Sequence, residues 1–327
     1  MLIPLDRDAF ELQYTTYLRV SRTVGEATIR NYLSGARTFW DFANAENPSE
    51  LQFTLTQRTL TKYVAWLTGK GLSNNSIARN ISSLRSLVRY LQTQDKSTES
   101  FPIIMGRPRT QASAPLFLSE PQIKNLLEKP DACTFWGLRD ACIIEILYST
   151  GVRVSELTQI DVSSVDLDSQ TIRVIGKGSK ERVVFLNKRC HELVDRYLVQ
   201  LHHSDTHKKG NNRPLFINRN GGRLTNRSIQ RIIKGYAKTA GIDPSTHPHT
   251  LRHSFATHML DGGASLTSVQ KLLGHSSTRA TQVYLHPNLE KGRQIYREAH
   301  PRAKGHTDAK DERVHHENTS NTRSQSE

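Results

Sequence analysis

The apolar positions of the first hundred residues recur at helical intervals. Phe10, Leu12, Tyr17 and Leu18 fit a first helix. Ile29, Leu33, Ala36, Phe39, Trp40 and Ala43 keep a 3.6-residue spacing and predict a second, which must end before Asn47-Pro48. Leu60, Val64 and Leu67 predict a third, closed by Gly69 and Gly71. Ile77, Ile81, Leu84, Val88 and Leu91 predict a fourth beginning near Ser73, with Arg79, Arg85 and Arg89 off its buried stripe. The pattern therefore predicts an all-helical unit over residues 1–95. From Gln92 to Pro115 the chain reads QTQDKSTESFPIIMGRPRTQASAP, polar and without periodicity, which predicts a linker over residues 96–116.

A second unit is predicted over residues 117–303. Leu118-Ser119-Glu120-Pro121 is a capped helix start, and LRDACIIEILY (Leu138 to Tyr148) is a strongly apolar helix broken by Gly151. Ser155-Glu156-Leu157 begins another, so Arg153 sits in a tight turn among apolar Val152, Val154 and Leu157. Thr171 to Ile175 and Arg182 to Phe185 alternate like strands around GKGSK, a hairpin tip that bears Lys177 and Lys180. Cys190 to Leu201 and the basic, amphipathic stretch from Leu224 to Ala240 predict helices on either side of the loop HHSDTHKKGNNRP. Leu251, Phe255 and Met259 recur at four-residue steps until Gly262-Gly263. Val269, Leu272 and Leu273 then carry a helix to Gly274. Leu289, Ile295 and Tyr296 suit a short docking helix. The polar tail over 304–327 cannot bury enough surface to fold and is expected to be disordered.

Charge narrows the field of partners. The 327 residues carry 45 Lys+Arg against 31 Asp+Glu, a formal +14, which argues for a polyanion, nucleic acid first and anionic membrane second. No apolar run is long enough to cross a bilayer and MLIPLDRDAF has no signal-peptide pattern, so a cytoplasmic protein is expected. Cys133, Cys142 and Cys190 form no CxxC pair and read as buried thiols in a reducing compartment. In so basic a chain, Arg79, Arg85 and Arg89 are either a solvated helix face or contacts to a DNA backbone. Arg107 and Arg109 would let the linker lie along phosphates.

The densest chemistry runs from His247 to His286. His249 and Arg252 are three apart and share a helix face, His275 follows the stop at Gly274, and Tyr284 comes nine positions later, before Pro287. Two imidazoles, a guanidinium and a phenol brought together by short helices form a set suited to handling a phosphate. At the hairpin tip, Lys177 between Gly176 and Gly178 is either an exposed turn lysine or a flexible ammonium able to carry a proton into such a site.

GVRVSEL, GKGSKER, HTLRHSFATHML, LLGHSS and TQVYLH, in this order, resemble the motifs of the tyrosine recombinases of the phage-integrase family. YREAHPRA further resembles the Xer type. The resemblance runs from about residue 5 to Ala303. It implies a mainly α protein: a helical core-binding domain shaped as a SAM-like four-helix bundle, then a mixed α/β catalytic domain with a small antiparallel sheet. It implies that Arg153 is the first arginine, Lys177 the hairpin lysine, His249 and Arg252 the HxxR pair, His275 the second histidine and Tyr284 the nucleophile. The implied activity is site-specific breakage and rejoining of double-stranded DNA through a 3′-phosphotyrosyl intermediate, without metal or cofactor. The Xer type implies resolution of chromosome dimers at cell division. The assembly implied is a cyclic heterotetramer with a second Xer-type recombinase, a DNA translocase as regulator, and no membrane. The final helix would pack into a neighbouring subunit.

Competing readings are weaker on the residues. His249 and His253 are spaced like two metal ligands, but no HExxH and no usefully spaced carboxylate accompanies them. A magnesium nuclease needs clustered acidic residues, and these are expected outside the motif stretches. An integrase of a phage or mobile element shares the whole catalytic set. A non-catalytic DNA-binding regulator would keep the basic helices without needing all six polar groups.

Overall fold

The computed structural model describes residues 2–4, 7–20, 24–46, 52–94, 116–176, 180–203, 213–274 and 289–303. The chain divides into two compact units, Met1–Ser113 and Ala114–Glu327. The fold is mainly α with a small antiparallel sheet.

The first unit is built from α1 (Arg7–Val20), α2 (Glu26–Glu46), α3 (Gln57–Gly69) and α4 (Asn74–Gln94). Its core joins Tyr14 and Leu18 of α1 to Phe39 and Trp40 of α2, Leu60 and Tyr63 of α3, and Ile81 and Leu84 of α4. Leu12, one of the apolar residues that fit the first helix, is 73% exposed instead. Helices α2 and α4 meet at Gly35, where a Cβ would lie 2.3 Å from the Cβ of Ser83, so only glycine admits this approach. Thr56 caps α3 through a reciprocal pair of hydrogen bonds with Thr59. The periodicity predicts a wholly helical unit, but the unit also holds a short ribbon. Strands β1 (Leu2–Pro4) and β2 (Gln52–Thr54) pair antiparallel, with Leu2 opposite Thr54. Three residues are too few to show strand alternation, and the two halves of this ribbon lie some fifty positions apart.

The second unit is organised around α6 (Phe135–Thr150), buried from Gly137 to Thr150, which explains its apolar sequence. Before it comes α5 (Glu120–Leu127), begun by a capping box between Ser119 and Gln122. After it, α7 (Val154–Leu157) is a single turn. Strands β3 (Val165–Asp166), β4 (Thr171–Ile175) and β5 (Glu181–Phe185) form an antiparallel sheet in that order, with Ile172 opposite Val184. The two-residue β3 left no pattern in the sequence. Next come α8 (Lys188–His203), α9 (Asn226–Thr239), α10 (Pro248–Asp261) and α11 (Leu266–Leu272). Leu251 of α10 joins the main core. Phe255 and Met259 join a second cluster with Phe185, Val269 and Leu273. Onto that cluster docks α12 (Leu289–Ala299), through Tyr296 and Ala299. Within this chain, then, α12 packs against its own unit. A Cβ at Gly262 would lie 2.0 Å from the carbonyl oxygen of Ala299, so the docking needs glycine there.

Cys142 and Cys190 are buried, but Cys133 is exposed in the turn before α6, contrary to the expectation of three buried thiols. No helix among the described residues is long and apolar enough to cross a membrane. The linker residues Arg107 and Arg109, and the tail over 304–327, lie outside the described residues.

Candidate active site

The corner between α6 and α7 gathers several arginines of the second unit. Gly151 ends α6 with a positive φ of 61°, and a Cβ there would meet Phe255 and Leu273 at 2.6 and 2.7 Å. The carbonyl that this turn presents accepts from Nη1 of Arg252, while Nη2 of Arg252 donates to the carbonyl of Leu273 at 2.9 Å. These bonds use two of the five N–H donors of the guanidinium and fix its plane from two sides. Arg252 is buried, and burial lowers its pKa from 12.5 to about 10, with the positive charges of Arg153 and Arg182 adding to the effect and Glu156 opposing it. It is still protonated at neutral pH.

Two residues past Gly151, Arg153 caps α7. Its backbone N–H donates to Oε2 of Glu156 at 2.8 Å and its Nη1 to Oε1 at 2.9 Å. The side chain remains 34% exposed, so the same guanidinium still faces solvent. One turn before Arg252 on α10, His249 lies at the surface with its ring centroid 5.9 Å from that of His247. Partial burial, then the positive charges of His247, Arg252 and Arg153, all lower its pKa. An anion bound among these cationic groups would offset their repulsion. A corner of this composition is chemically suited to a phosphate-sized anion.

Glu156 and Arg182 also belong to this corner, although sequence reasoning assigned them no part in the site. Glu156 is only 3% exposed and accepts from Nη1 and Nη2 of Arg182, both at 2.8 Å, as well as from Arg153. Burial alone would raise its pKa. The Arg182 fork and the Arg153 bonds outweigh that and hold it down at about 2. The expectation that acidic residues fall outside the motif stretches fails here, since Glu156 lies inside GVRVSEL. A signal was present: Glu156 stands three residues after Arg153, the spacing of a capping-box carboxylate. Arg182 shares a strand face with buried Val184, an unusual place for a charge without a partner.

Of the six expected catalytic residues, the structure brings Arg153, His249 and Arg252 together. Lys177, His275 and Tyr284 lie outside the described residues, directly after Gly176, directly after Gly274 and before α12 respectively. Arg79, Arg85 and Arg89 all lie on α4 of the first unit. Arg79 and Arg89 are exposed and Arg85 half-buried, and Arg79 donates to Ser76 Oγ at 3.3 Å. The rings of His253 and Phe117 form a T-shaped pair, 6.3 Å between centroids. No three His, Cys, Asp or Glu side chains among the described residues are grouped as metal ligands.

Similarity to known proteins gives the class, an enzyme that cuts and rejoins DNA. The chain belongs to the phage integrase family, the tyrosine recombinases: the Phage integrase family profile matches residues 116–291, and that of the Phage integrase N-terminal SAM-like domain matches residues 12–95. Among relatives, it is 37% identical to the tyrosine recombinase XerC of Syntrophus aciditrophicus (strain SB) over 303 residues, 90% of this chain and 97% of that one. It is 36% identical to the tyrosine recombinase XerD of Listeria innocua serovar 6a over 287 residues, 88% and 97% of the two chains. The XerH site-specific recombinase, in a crystal structure of its pre-cleavage complex with difH substrate, is similar at a TM-score of 0.63 and 25% identity, across 88% of this chain and 84% of that one. The activity is site-specific recombination of DNA.

Proposed function

We propose that this chain is a Xer-type recombinase that exchanges DNA strands through a 3′-phosphotyrosyl intermediate and resolves chromosome dimers in the cytoplasm. A second, related recombinase would complete a cyclic heterotetramer on paired sites, with a DNA translocase as regulator. The observation that supports this reading is the corner at Gly151, where Arg153 bonds to the buried Glu156 and Arg252 to the Gly151 carbonyl. Two guanidiniums there suit the non-bridging oxygens of a scissile phosphate and the charge that builds up in a pentacoordinate transition state.

The roles of the other residues follow from chemistry. The phenolic oxygen of Tyr284 attacks phosphorus, the bond to the 5′-oxygen breaks, and the 3′-phosphate remains ester-linked to the tyrosine. A phenol has a pKa near 10 and is a weak nucleophile at neutral pH. The cationic field and a neighbouring histidine, His249 or His275, ease loss of its proton. Because the phosphodiester energy is kept in the ester, resealing is the reverse attack by a 5′-hydroxyl. Arg79, Arg85 and Arg89, with Arg107 and Arg109, hold the DNA backbone.

The test is covalent trapping on a nicked duplex in which the cleaved fragment diffuses away. The wild-type chain should form a denaturation-resistant adduct in the presence of EDTA, and Tyr284→Phe should bind the duplex but form none. An adduct made by Tyr284→Phe would place the nucleophile elsewhere, and loss of all cleavage in EDTA would count against metal-independent transesterification.

A further inference from the structure

Arg182 lies on β5, on the returning arm of the hairpin whose tip carries Lys177, and its side chain is 11% exposed. Its two terminal nitrogens fork onto the two oxygens of Glu156 at 2.8 Å each. Those same two oxygens hold Arg153, one through the backbone N–H and the other through Nη1. A single buried carboxylate thus serves two arginines and is shared unequally. Arg182 takes the bidentate arrangement, and the Arg153 guanidinium is left with one bond to it. The body of Arg182 also fills the space beside two backbone positions of the corner. A Cβ on Gly274 would lie 3.1–3.3 Å from its Cδ, Nε and Cζ, and one on Gly176 would lie 3.7 Å from its Nη1. Gly176 donates its N–H to the carbonyl of Lys180 at 2.8 Å and so closes the base of the hairpin.

The charge balance explains why this sharing matters. A buried carboxylate that lacks a full counter-ion recruits the nearest cation, and a guanidinium matches it best when both terminal nitrogens engage. Without Arg182 the nearest such cation is Arg153, already bonded at one nitrogen. It would close onto both oxygens and turn its fork away from solvent. We propose that Arg182 is a positioning residue for DNA cleavage: by occupying Glu156 it keeps the Arg153 guanidinium free to meet the scissile phosphate. It also ties the base of the Lys177 hairpin to the same corner. This rests on the reading of Arg153 as a phosphate-binding residue in the catalytic corner.

A residue of this kind leaves a signature that a packing defect does not. Single-turnover cleavage of the nicked duplex should be measured at saturating protein, so that affinity does not enter. Arg182→Gln should cleave on the order of a hundredfold more slowly, the scale expected when a reacting group is misplaced by about an ångström. Its affinity for the duplex should be little changed. Adding Glu156→Gln in the same chain removes the carboxylate that traps Arg153, so the double variant should recover at least about tenfold over Arg182→Gln alone. Arg182→Lys, which supplies charge without a fork, should fall between wild type and Arg182→Gln. A double variant as slow as or slower than Arg182→Gln would overturn the proposal and reduce Arg182 to a structural ion pair. So would an Arg182→Gln protein that cleaves like wild type. Arg153→Ala and Tyr284→Phe run alongside as controls. If both still cleave, the catalytic reading itself has failed. If both are inactive while the double variant is not rescued, only the role of Arg182 has.

Discussion

At the residue scale, the protonation states around Gly151 limit which group can act as an acid. Arg252 still holds its proton at neutral pH, although burial lowers its pKa to about 10. Arg153 is engaged by Glu156. In the proposed reaction neither suits the delivery of a proton to the 5′-oxygen, which would leave poorly as an alkoxide. Lysine can lose its proton, the more readily when desolvated beside other cations, and Lys177 is flanked by two glycines that free its backbone. Lys177→Ala is therefore expected to cleave ordinary DNA very slowly. It should regain much of its rate on DNA whose bridging 5′-oxygen is replaced by sulfur, because a thiolate departs without protonation. Arg153→Ala should show no such recovery. Equal slowness of Lys177→Ala on both substrates would pass the acid role to another group, Lys180 first. The site itself was legible only in part. Arg252 and His249 stand in one motif and could be read as a pair. The Glu156–Arg182 ion pair joins residues 26 positions apart on different elements, and only the folded corner brings them together.

At the scale of elements, α12 gives the clearest case of a partnership that the sequence hinted at and the fold specified. The apolar spacing of Ile295 and Tyr296 predicted a docking helix, but the residue that secures its end is His300, just beyond it. That imidazole is wholly buried, stacked on Tyr296 with centroids 5.1 Å apart, and its Nδ1 accepts the backbone N–H of Arg302 at 3.2 Å. Arg302 in turn donates from Nε to the buried Glu145 of α6 at 3.2 Å. Burial, then the positive charges of Arg302 and His258, lower the His300 pKa from 6.5 to about 3. His258, whose Nδ1 lies 3.0 Å from the Tyr148 hydroxyl, is lowered as well. A buried neutral histidine stabilises the fold fully above pH 6.5, and the unfolded chain gains a proton as pH falls below that value. Stability is then lost progressively toward pH 3, at about 1.4 kcal/mol per pH unit for such a group. Urea unfolding at about pH 7 and about pH 5.5 should show this loss in the wild-type chain, and His300→Leu should show a smaller one. If the two slopes were equal, His300 would not be the titrating group. The helices of both units were legible because their apolar spacing is long and regular. The β1–β2 ribbon and β3 were not, because two- and three-residue strands carry no period.

At the scale of the whole molecule, the proposed reading has the two units divide the work by charge and by chemistry. The described part of the first unit contributes a helix, α4, whose buried stripe of Ile77, Ile81, Leu84 and Val88 leaves Arg79 and Arg89 exposed and Arg85 half-buried. The second unit carries the corner in which Arg153 and Arg252 are held in place by bonds to Glu156, Gly151 and Leu273. Arginines that meet DNA only through its backbone add affinity without selecting the reacting phosphate, and each releases counter-ions when it binds. Arginines built into the corner are already ordered before DNA arrives, so their contribution is expected mainly in the transition state. The two sets should therefore separate in one experiment. Alanine at Arg79, Arg85 and Arg89 should weaken binding and reduce the slope of log affinity against log salt by roughly one for each phosphate left unneutralised. The rate of cleavage at saturating protein should hardly change. Alanine at Arg153 or Arg252 should lower that rate by orders of magnitude and leave the salt slope nearly as it was. If the α4 substitutions altered neither affinity nor slope, those arginines would be a solvated helix face, and the basic excess of the chain would have to meet DNA elsewhere.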